Sequence, residues 1–372
     1  LNVAIDFSFL EIEWIYYLVV IVISSVISFI AIPSIMFVAR ERHLYDDAES
    51  MRKDHDHGIP RLGGVAIFCS FTIVSLLFAK YDAVLPTNIL LTSCIILFAV
   101  GLKDDLAGSG PGTKFVMQFL VASILVFLGD VRLTSLYGIF NVAEIPVYLS
   151  IPVSVLIIMF IVNAFNLIDG INGLAGTIGL VVNLTFAVLF IHMGQIEMAS
   201  LAFSMVGAIV GFLYYNYTPA RIFMGDTGSL LIGLISVVLA VKFIELNKFT
   251  DFGPRPSFFS APAIAVSVLI IPLFDTFRVF SIRVLKGNSP FKADRNHIHH
   301  RILRLGFSHT QTTYLLAFTN LVFIYLSLNL RDWGNFTLIF MFMGICVLIN
   351  WVTTILIRIK DRGHFKITFL YK

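Results

Sequence analysis

The stretch SIPVSVLIIMFIVNAFNLIDGINGLA, residues 150–175, carries two opposed messages. Its first part is apolar on every face, the composition of a segment surrounded by hydrocarbon or buried deep in a core. Its second part sets Asn163, Asn166, Asp169 and Asn172 among glycines, where hydrocarbon is a poor host. The rest of the chain repeats the first message. Hydrophobic residues make up 58% of the 372 and charged residues only 13%, against about one-quarter charged in a soluble domain. The mean hydropathy is +0.90. A membrane helix needs about 20 mainly apolar residues, because no water satisfies its backbone inside a bilayer.

Apolar blocks at 14–39, 62–79, 88–102, 114–129, 150–165, 173–191, 196–215, 228–245, 261–284, 311–329 and 334–357 predict about eleven spans. The expected fold is therefore an all-α polytopic integral membrane protein, with 1–372 a single transmembrane domain. Acidic residues Asp6, Glu11 and Glu13 precede the first block, which speaks against a cleavable signal peptide, and Arg40 and Arg42 follow it. Positive charge gathers on the cytoplasmic side of membrane proteins. With an external N-terminus and a cytoplasmic C-terminus, only Lys80, Arg132, Lys242, Lys248, Arg255 and Arg331 of the 26 Lys and Arg stay outside. The segment 131–150 is then external and suits a small hairpin or interfacial piece. Cys69, Cys94 and Cys346 lie inside apolar blocks without metal-type spacing and read as core residues.

Five polar islands interrupt the apolar text: GIPRLGG at 58–64, GLKDDL at 101–106, NAFNLIDGINGLA at 163–175, the region 216–229 with RIFMGDTGS at its end, and DRNHIHH at 294–300. The charge-derived topology puts all five on the cytoplasmic face, as one active site at the membrane surface requires. Adjacent Asp104 and Asp105 repel one another unless a cation or an ionised substrate shares them; the alternative is a solvated helix end. Asn163, Asn166 and Asp169 recur every three residues and can share a helical face, with a capped turn as the plainer reading. Asp226 sits between Gly225 and Gly228 just before a span, where an anion site, a Mg²⁺ ligand and an N-cap compete as explanations. His297, His299 and His300 stand among Arg295, Arg301 and Arg304. Zinc binding is one reading; without a nearby cysteine, phosphate binding is preferred, and contact with anionic lipid headgroups is the bland alternative.

In their order, the islands resemble the polyprenyl-phosphate N-acetylhexosamine-1-phosphate transferase family, over most of the chain from Gly58 to about Gln311. The form His297-x-His299-His300 after Asp294-Arg295 looks like the bacterial undecaprenyl-phosphate GlcNAc-1-phosphate branch. The resemblance implies that Asp104, Asp105, Asp226, His297, His299 and His300 are catalytic. It implies that Lys114, Asn163, Asn166, Asp169, Asn172, Asn216, Phe223, Arg295 and Arg61 bind substrate, with Asn216 and Phe223 at the uracil. Asp226, with Asn166 as a second ligand, would hold Mg²⁺, or Mn²⁺ in its place. Asn172 departs from the aspartate of many bacterial relatives and matches the eukaryotic dolichyl-phosphate branch.

By the same resemblance, the expected partners are a UDP-N-acetylhexosamine, a polyprenyl phosphate and the bilayer, with no nucleic acid; a homo-oligomer is also compatible. The expected location is the bacterial inner membrane, at the first membrane step of envelope polysaccharide synthesis. The rivals are another UDP-N-acetyl sugar as donor, a secondary transporter and a non-catalytic scaffold. A transporter would place broken helices and polar residues at the bilayer midplane in two related halves, and no such repeat is visible.

Overall fold

The computed structural model describes residues 13–44, 58–78, 84–138, 144–248, 258–287 and 296–362. Within them a helix stands at every apolar block. The helices are α1 Glu13–Glu41, α2 Gly63–Leu77, α3 Thr87–Ala107, α4 Pro111–Phe127, α5 Val147–Ile168, α6 Leu174–His192, α7 Ile196–Asn216, α8 Gly225–Asn247, α9 Ala261–Val268, α10 Ile270–Leu285, α11 Ile298–Leu305, α12 His309–Asn329 and α13 Asn335–Asp361. Among the described residues β-pairing is confined to one antiparallel bridge, Ser135 with Glu144, inside the expected external hairpin.

Seven helices, α1, α5, α6, α7, α8, α12 and α13, are each long and apolar enough to cross a bilayer. The α9–α10 pair makes an eighth if taken as one bent span. Of the other expected spans, α2 and α4 are apolar but shorter, and α3 ends in Lys103, Asp104 and Asp105.

The bundle is built around α8. This helix is apolar on all sides and packs against α2, α3, α5, α6 and α9, so that 83% of its apolar stretch is buried. The corresponding share in α13 is 17%, and there Phe340, Leu348 and Trp351 face outward, as a lipid-facing helix requires.

The block 261–284 reads as one span, yet its two helices meet at 78°. Pro272 supplies the reason. Its ring clashes with the carbonyl four residues earlier, that of Val268, where α9 ends. The carbonyls of Ser267 and Val268 freed by the break accept from Asn320 Nδ2 of α12 at 3.2 and 3.1 Å. Those contacts meet the demand of a hydrocarbon setting that backbone groups be paired. The bend carries Asp275 of α10 under residues 296–298, where the histidine segment begins.

Candidate active site

The site is built on the first turn of α8. The N–H groups there have no partners within the helix, and the N-cap residue, Met224, offers no side-chain acceptor. The acceptor comes from α3. Asp105 Oδ1 accepts from the Asp226 N–H at 2.8 Å, and Oδ2 from the Thr227 N–H at 3.0 Å and Thr227 Oγ1 at 2.6 Å. A carboxylate facing a helix N-terminus is also favoured by the helix dipole. The capping role open to Asp226 in the sequence thus belongs to Asp105, and the Asp226 carboxylate is released for other work.

Asp226 Oδ2 instead accepts from Lys114 Nζ at 2.5 Å, and the same ammonium donates to Asp104 Oδ2 at 2.7 Å. Asp104 Oδ1 is held by the Ser109 N–H and Oγ, both at 2.7 Å. One oxygen from each of Asp104, Asp105 and Asp226 lies within 4.8 Å of the others. The donor set is all carboxylate oxygen, and a cationic group already bridges two of the three. Both features fit a small hard divalent cation.

Close approach of the backbones makes this possible. Gly63 and Gly64 donate to the carbonyls of Phe223 and Met224 at 2.9 and 2.8 Å, and the Phe223 N–H donates to the Pro60 carbonyl at 2.8 Å. A Cβ on Gly64 would come within 2.1 Å of the Gly228 nitrogen. Gly225 has φ +71°, and a Cβ there would meet both Asp105 oxygens at 2.6 Å. The GIPRLGG island therefore carries Arg61, whose side chain is exposed, to the mouth of the acidic cluster.

The NAFNLIDGINGLA island divides. Asn166 Nδ2 donates to Ser229 Oγ at 3.0 Å, one turn along α8 from Asp226. Asn163 points elsewhere: its Nδ2 donates to Gln118 Oε1 at 2.5 Å and to the Met159 carbonyl at 2.8 Å, a pairing between spans. Asp169 is the C-cap of α5, outside the span. Burial, then the charges of Asp226 and Asp105, push its carboxyl up to about 7, with Arg61 opposing. Asn172 is half-buried, and its carbonyl accepts from Thr313 Oγ1 at 3.2 Å. Asn216 is buried; its amide accepts from the Gly173 N–H at 2.9 Å and donates to the Ile222 carbonyl at 2.8 Å. It thus ties the start of α6 to the loop before α8. Phe223, in that loop, is half-buried.

The histidine segment packs on the turn between α5 and α6. His297 Nδ1 meets Asp275 Oδ2 at 2.8 Å. His299, only 1% exposed, has its ring centre 4.2 Å from that of His300, the two rings inclined at 51°, and lies so close to Gly170 that a Cβ there would be 2.3 Å from Nε2. Neither His299 ring nitrogen has a hydrogen-bond partner among the described residues. Burial first, and His300 next, hold this imidazole down to about 3, so it is neutral at physiological pH. It can offer a donor but no charge. Arg295 lies outside the described residues.

Three contributors were not singled out in the sequence. Ser109 holds Asp104. Tyr217 bonds Thr177 Oγ1 at 2.9 Å and packs its ring on Gly173. Asp275 anchors His297. For Asp275 a signal existed: a carboxylate inside an apolar block, with Arg278 at i+3, is costly unless it has a function.

The five polar islands meet one another at one end of a helical membrane bundle, and with Lys114 they bring carboxylate, ammonium and imidazole groups together, a set suited to anionic substrates. Residues 87–244 match the family described as Glycosyl transferase family 4. The chain is 32% identical over 311 residues to the probable undecaprenyl-phosphate N-acetylglucosaminyl 1-phosphate transferase of Bacillus subtilis (strain 168), covering 82% of this chain and 84% of that protein. It is 31% identical over 341 residues to the decaprenyl-phosphate N-acetylglucosaminephosphotransferase of Mycolicibacterium smegmatis, covering 84% and 81%. With the undecaprenyl-phosphate alpha-N-acetylglucosaminyl 1-phosphate transferase of Salmonella typhi it shares 29% over 335 residues, covering 85% and 87%. The chain belongs to this transferase family, which bears out the resemblance carried by its ordered motifs.

Proposed function

We propose that the chain transfers N-acetylhexosamine 1-phosphate, with GlcNAc-1-phosphate as the favoured group, from a UDP-sugar to a polyprenyl phosphate. An acceptor phosphate oxygen attacks the sugar-bearing phosphorus of the donor, the bond to the bridging oxygen breaks, and UMP leaves. The product is the polyprenyl-pyrophosphoryl-sugar. The observation that carries this reading is the Asp226 carboxylate, relieved of capping by Asp105 and bridged by Lys114 to the partner carboxylate Asp104. The relatives' names support the donor and the acceptor class.

The acceptor is already an anion, since a phosphate monoester has a second pKa of about 6. The task is to bring two anions together and stabilise the charge that shifts to the leaving group. Lys114, in the first turn of α4, presents its ammonium to both. Arg61 adds positive charge at the mouth, and His297 stacks at 5.8 Å on the His299 ring. His299 offers a neutral donor from its place against Gly170. Asp104 faces Lys114, whereas both Asp105 oxygens are turned to the first turn of α8, so of the adjacent pair Asp104 is the one set toward the ammonium and its anionic ligands. Asp226 and Asp104 would hold Mg²⁺, with Asn166 one turn away. The ion supplies charge neutralisation for the donor pyrophosphate.

The polar residues gather at one end of the bundle, which favours this reading over a transporter with a midplane site. The proposed location is the bacterial inner membrane, with this end cytoplasmic. In a cysteine-free background, single cysteines at Ser109 and Asp361 should react only from the cytoplasm, and one at Asp332 only from outside. The function is tested with purified protein, Mg²⁺, polyprenyl phosphate and a panel of UDP-N-acetyl sugars, scored by UMP release and lipid-product mass. Release of UMP with UDP-GlcNAc, and a lipid product heavier by one GlcNAc-phosphate, is the expected result. No UMP from any donor of the panel would end the proposal.

A further inference from the structure

Asp275 is 1% exposed and lies on α10 just past the break that Pro272 imposes. A carboxylate in such surroundings is costly unless each oxygen is paired. Oδ2 faces His297 Nδ1 at 2.8 Å, and Oδ1 accepts from the Ile298 N–H at 2.8 Å and from Arg278 Nη2 at 2.9 Å. Arg278 Nη2 also donates to the Asn296 carbonyl. One ion pair therefore grips residues 296, 297 and 298 in succession, at the entry to α11. Ile298 is the first residue of that helix, so its N–H is one of the orphan donors, and the cap again comes from a different helix.

Among the described residues, the hydrogen bonds of this carboxylate go to His297, Ile298 and Arg278. Beyond it lies an apolar cavity of about 210 Å³, lined by Phe274, Ile298, Ile302 and Phe323 among others. In such a low-dielectric setting a hydrogen bond is strong and an unpaired polar group is expensive. The bond to His297 Nδ1 is thus built in, and Nε2 is the ring nitrogen left for a ligand.

We propose that Asp275 is the positioning residue of His297. Its Oδ2 keeps the proton on Nδ1 and directs Nε2 to the transferring phosphate, while its Oδ1 holds the backbone on which the ring is mounted. This rests on the reading that His297 contacts phosphate during transfer. With Nδ1–H donated to the carboxylate, any second proton on the ring sits on Nε2, from which it is donated to a phosphate oxygen. An amide in place of the carboxylate has one acceptor oxygen. If that oxygen keeps the Ile298 N–H, its NH₂ faces Nδ1 and selects the opposite tautomer. Asp275→Asn therefore disturbs the ring through its proton, with almost no change in volume.

The test is a double-mutant cycle with UMP release as the readout. Asp275→Asn is expected to lower turnover by roughly 10- to 100-fold, as when carboxylates that orient ligating histidines are removed. In a His297→Ala background the same change should cost no more than about threefold, because the residue acts through that ring. Full and independent losses from the two changes would overturn the proposal and leave Asp275 a folding residue. Near-normal turnover of His297→Ala would instead remove the phosphate role of His297, and the proposal with it; the two failures are distinguishable. A measurement on the unaltered protein is independent of how the variants fold. In the ¹⁵N spectrum of histidine-labelled protein, the His297 signals, assigned by their loss in His297→Gln, should show Nδ1 protonated at neutral pH. An unprotonated Nδ1 refutes the assignment.

Discussion

The two halves of the site are made in different ways. The acidic half, Asp104, Asp105, Asp226 and Lys114, grows from the ends of long helices in the bundle core. Its geometry is set by glycine contacts between backbones and by a carboxylate that caps α8 across 121 positions of chain. The histidine half rides on α11, an eight-residue helix. Side-chain anchors hold it: Asp275 and Arg278 at its start, and Arg301 to Asn350 and to Thr354 Oγ1 at 2.6 Å along its length. At its end Arg304 meets Asp361 at 2.7 Å, an exposed pair worth little. A core-built half holds its shape by packing, while an anchored half holds it by a few polar bonds. The first should fail through chemistry or global stability and the second through local loosening.

The largest effect should come from Asp226→Asn. Its carboxylate takes no part in capping, so the variant should melt as the parent does while turnover falls by at least roughly a hundredfold, the scale of one lost electrostatic contact in a transition state. Excess Mg²⁺ should restore little. Near-normal turnover at low Mg²⁺ would move the ion to other ligands.

Asp105→Ala should separate capping from chemistry within the same half. Two N–H groups and the Thr227 hydroxyl lose their acceptor, at a cost of about 1–2 kcal/mol in stability. Turnover should fall as Asp226 shifts with its helix. Thermal denaturation in detergent decides the matter: a stable Asp105→Ala beside an unstable Asp226→Asn would reverse the two roles.

Arg301→Ala probes the anchored half. Turnover should drop by roughly tenfold through misplacement of the histidines. Amide exchange should rise in α11 and stay unchanged in α8. Faster exchange in both helices would show that the halves are one cooperative unit.

The smallest effect lies where the halves meet. Asp169 ionises as pH rises through about 7, which adds negative charge beside Asp226 and weakens binding of an anionic donor. At fixed Mg²⁺ the donor KM should therefore rise a few-fold between about pH 6 and about pH 8. In Asp169→Asn it should be flat over that interval; an equal rise in the variant would assign the titration to another group.

Much of this architecture is legible in the amino-acid order. The apolar blocks fall where helices stand, since a bilayer admits little else, and each polar island marks a place where hydrocarbon ends. Residue types also announce their chemistry: Asp104, Asp105 and Asp226 by type, and Lys114 through the family resemblance, are expected at the site and lie together there. Asn163 shows the limit. It shares the spacing of Asn166 and Asp169, yet it pairs with Gln118 between spans, because a polar residue's spacing fixes its helical face and not the neighbour it meets.

By itself, then, the sequence determined the membrane character of the chain, the positions of its long helices, the gathering of its chemistry into a few polar islands and the family to which it belongs. These follow from hydropathy, charge asymmetry and motif order, which are properties of the chain read along one line. Only the tertiary structure decided that Asp105 caps α8 while Asp226 pairs with Lys114 instead, that Pro272 breaks the ninth block at 78°, and that Asp275 takes hold of His297. Each of these depends on which helix end meets which. Such a pairing is selected by close backbone approach and by the requirement that every buried polar group find a partner, and neither condition is local in sequence.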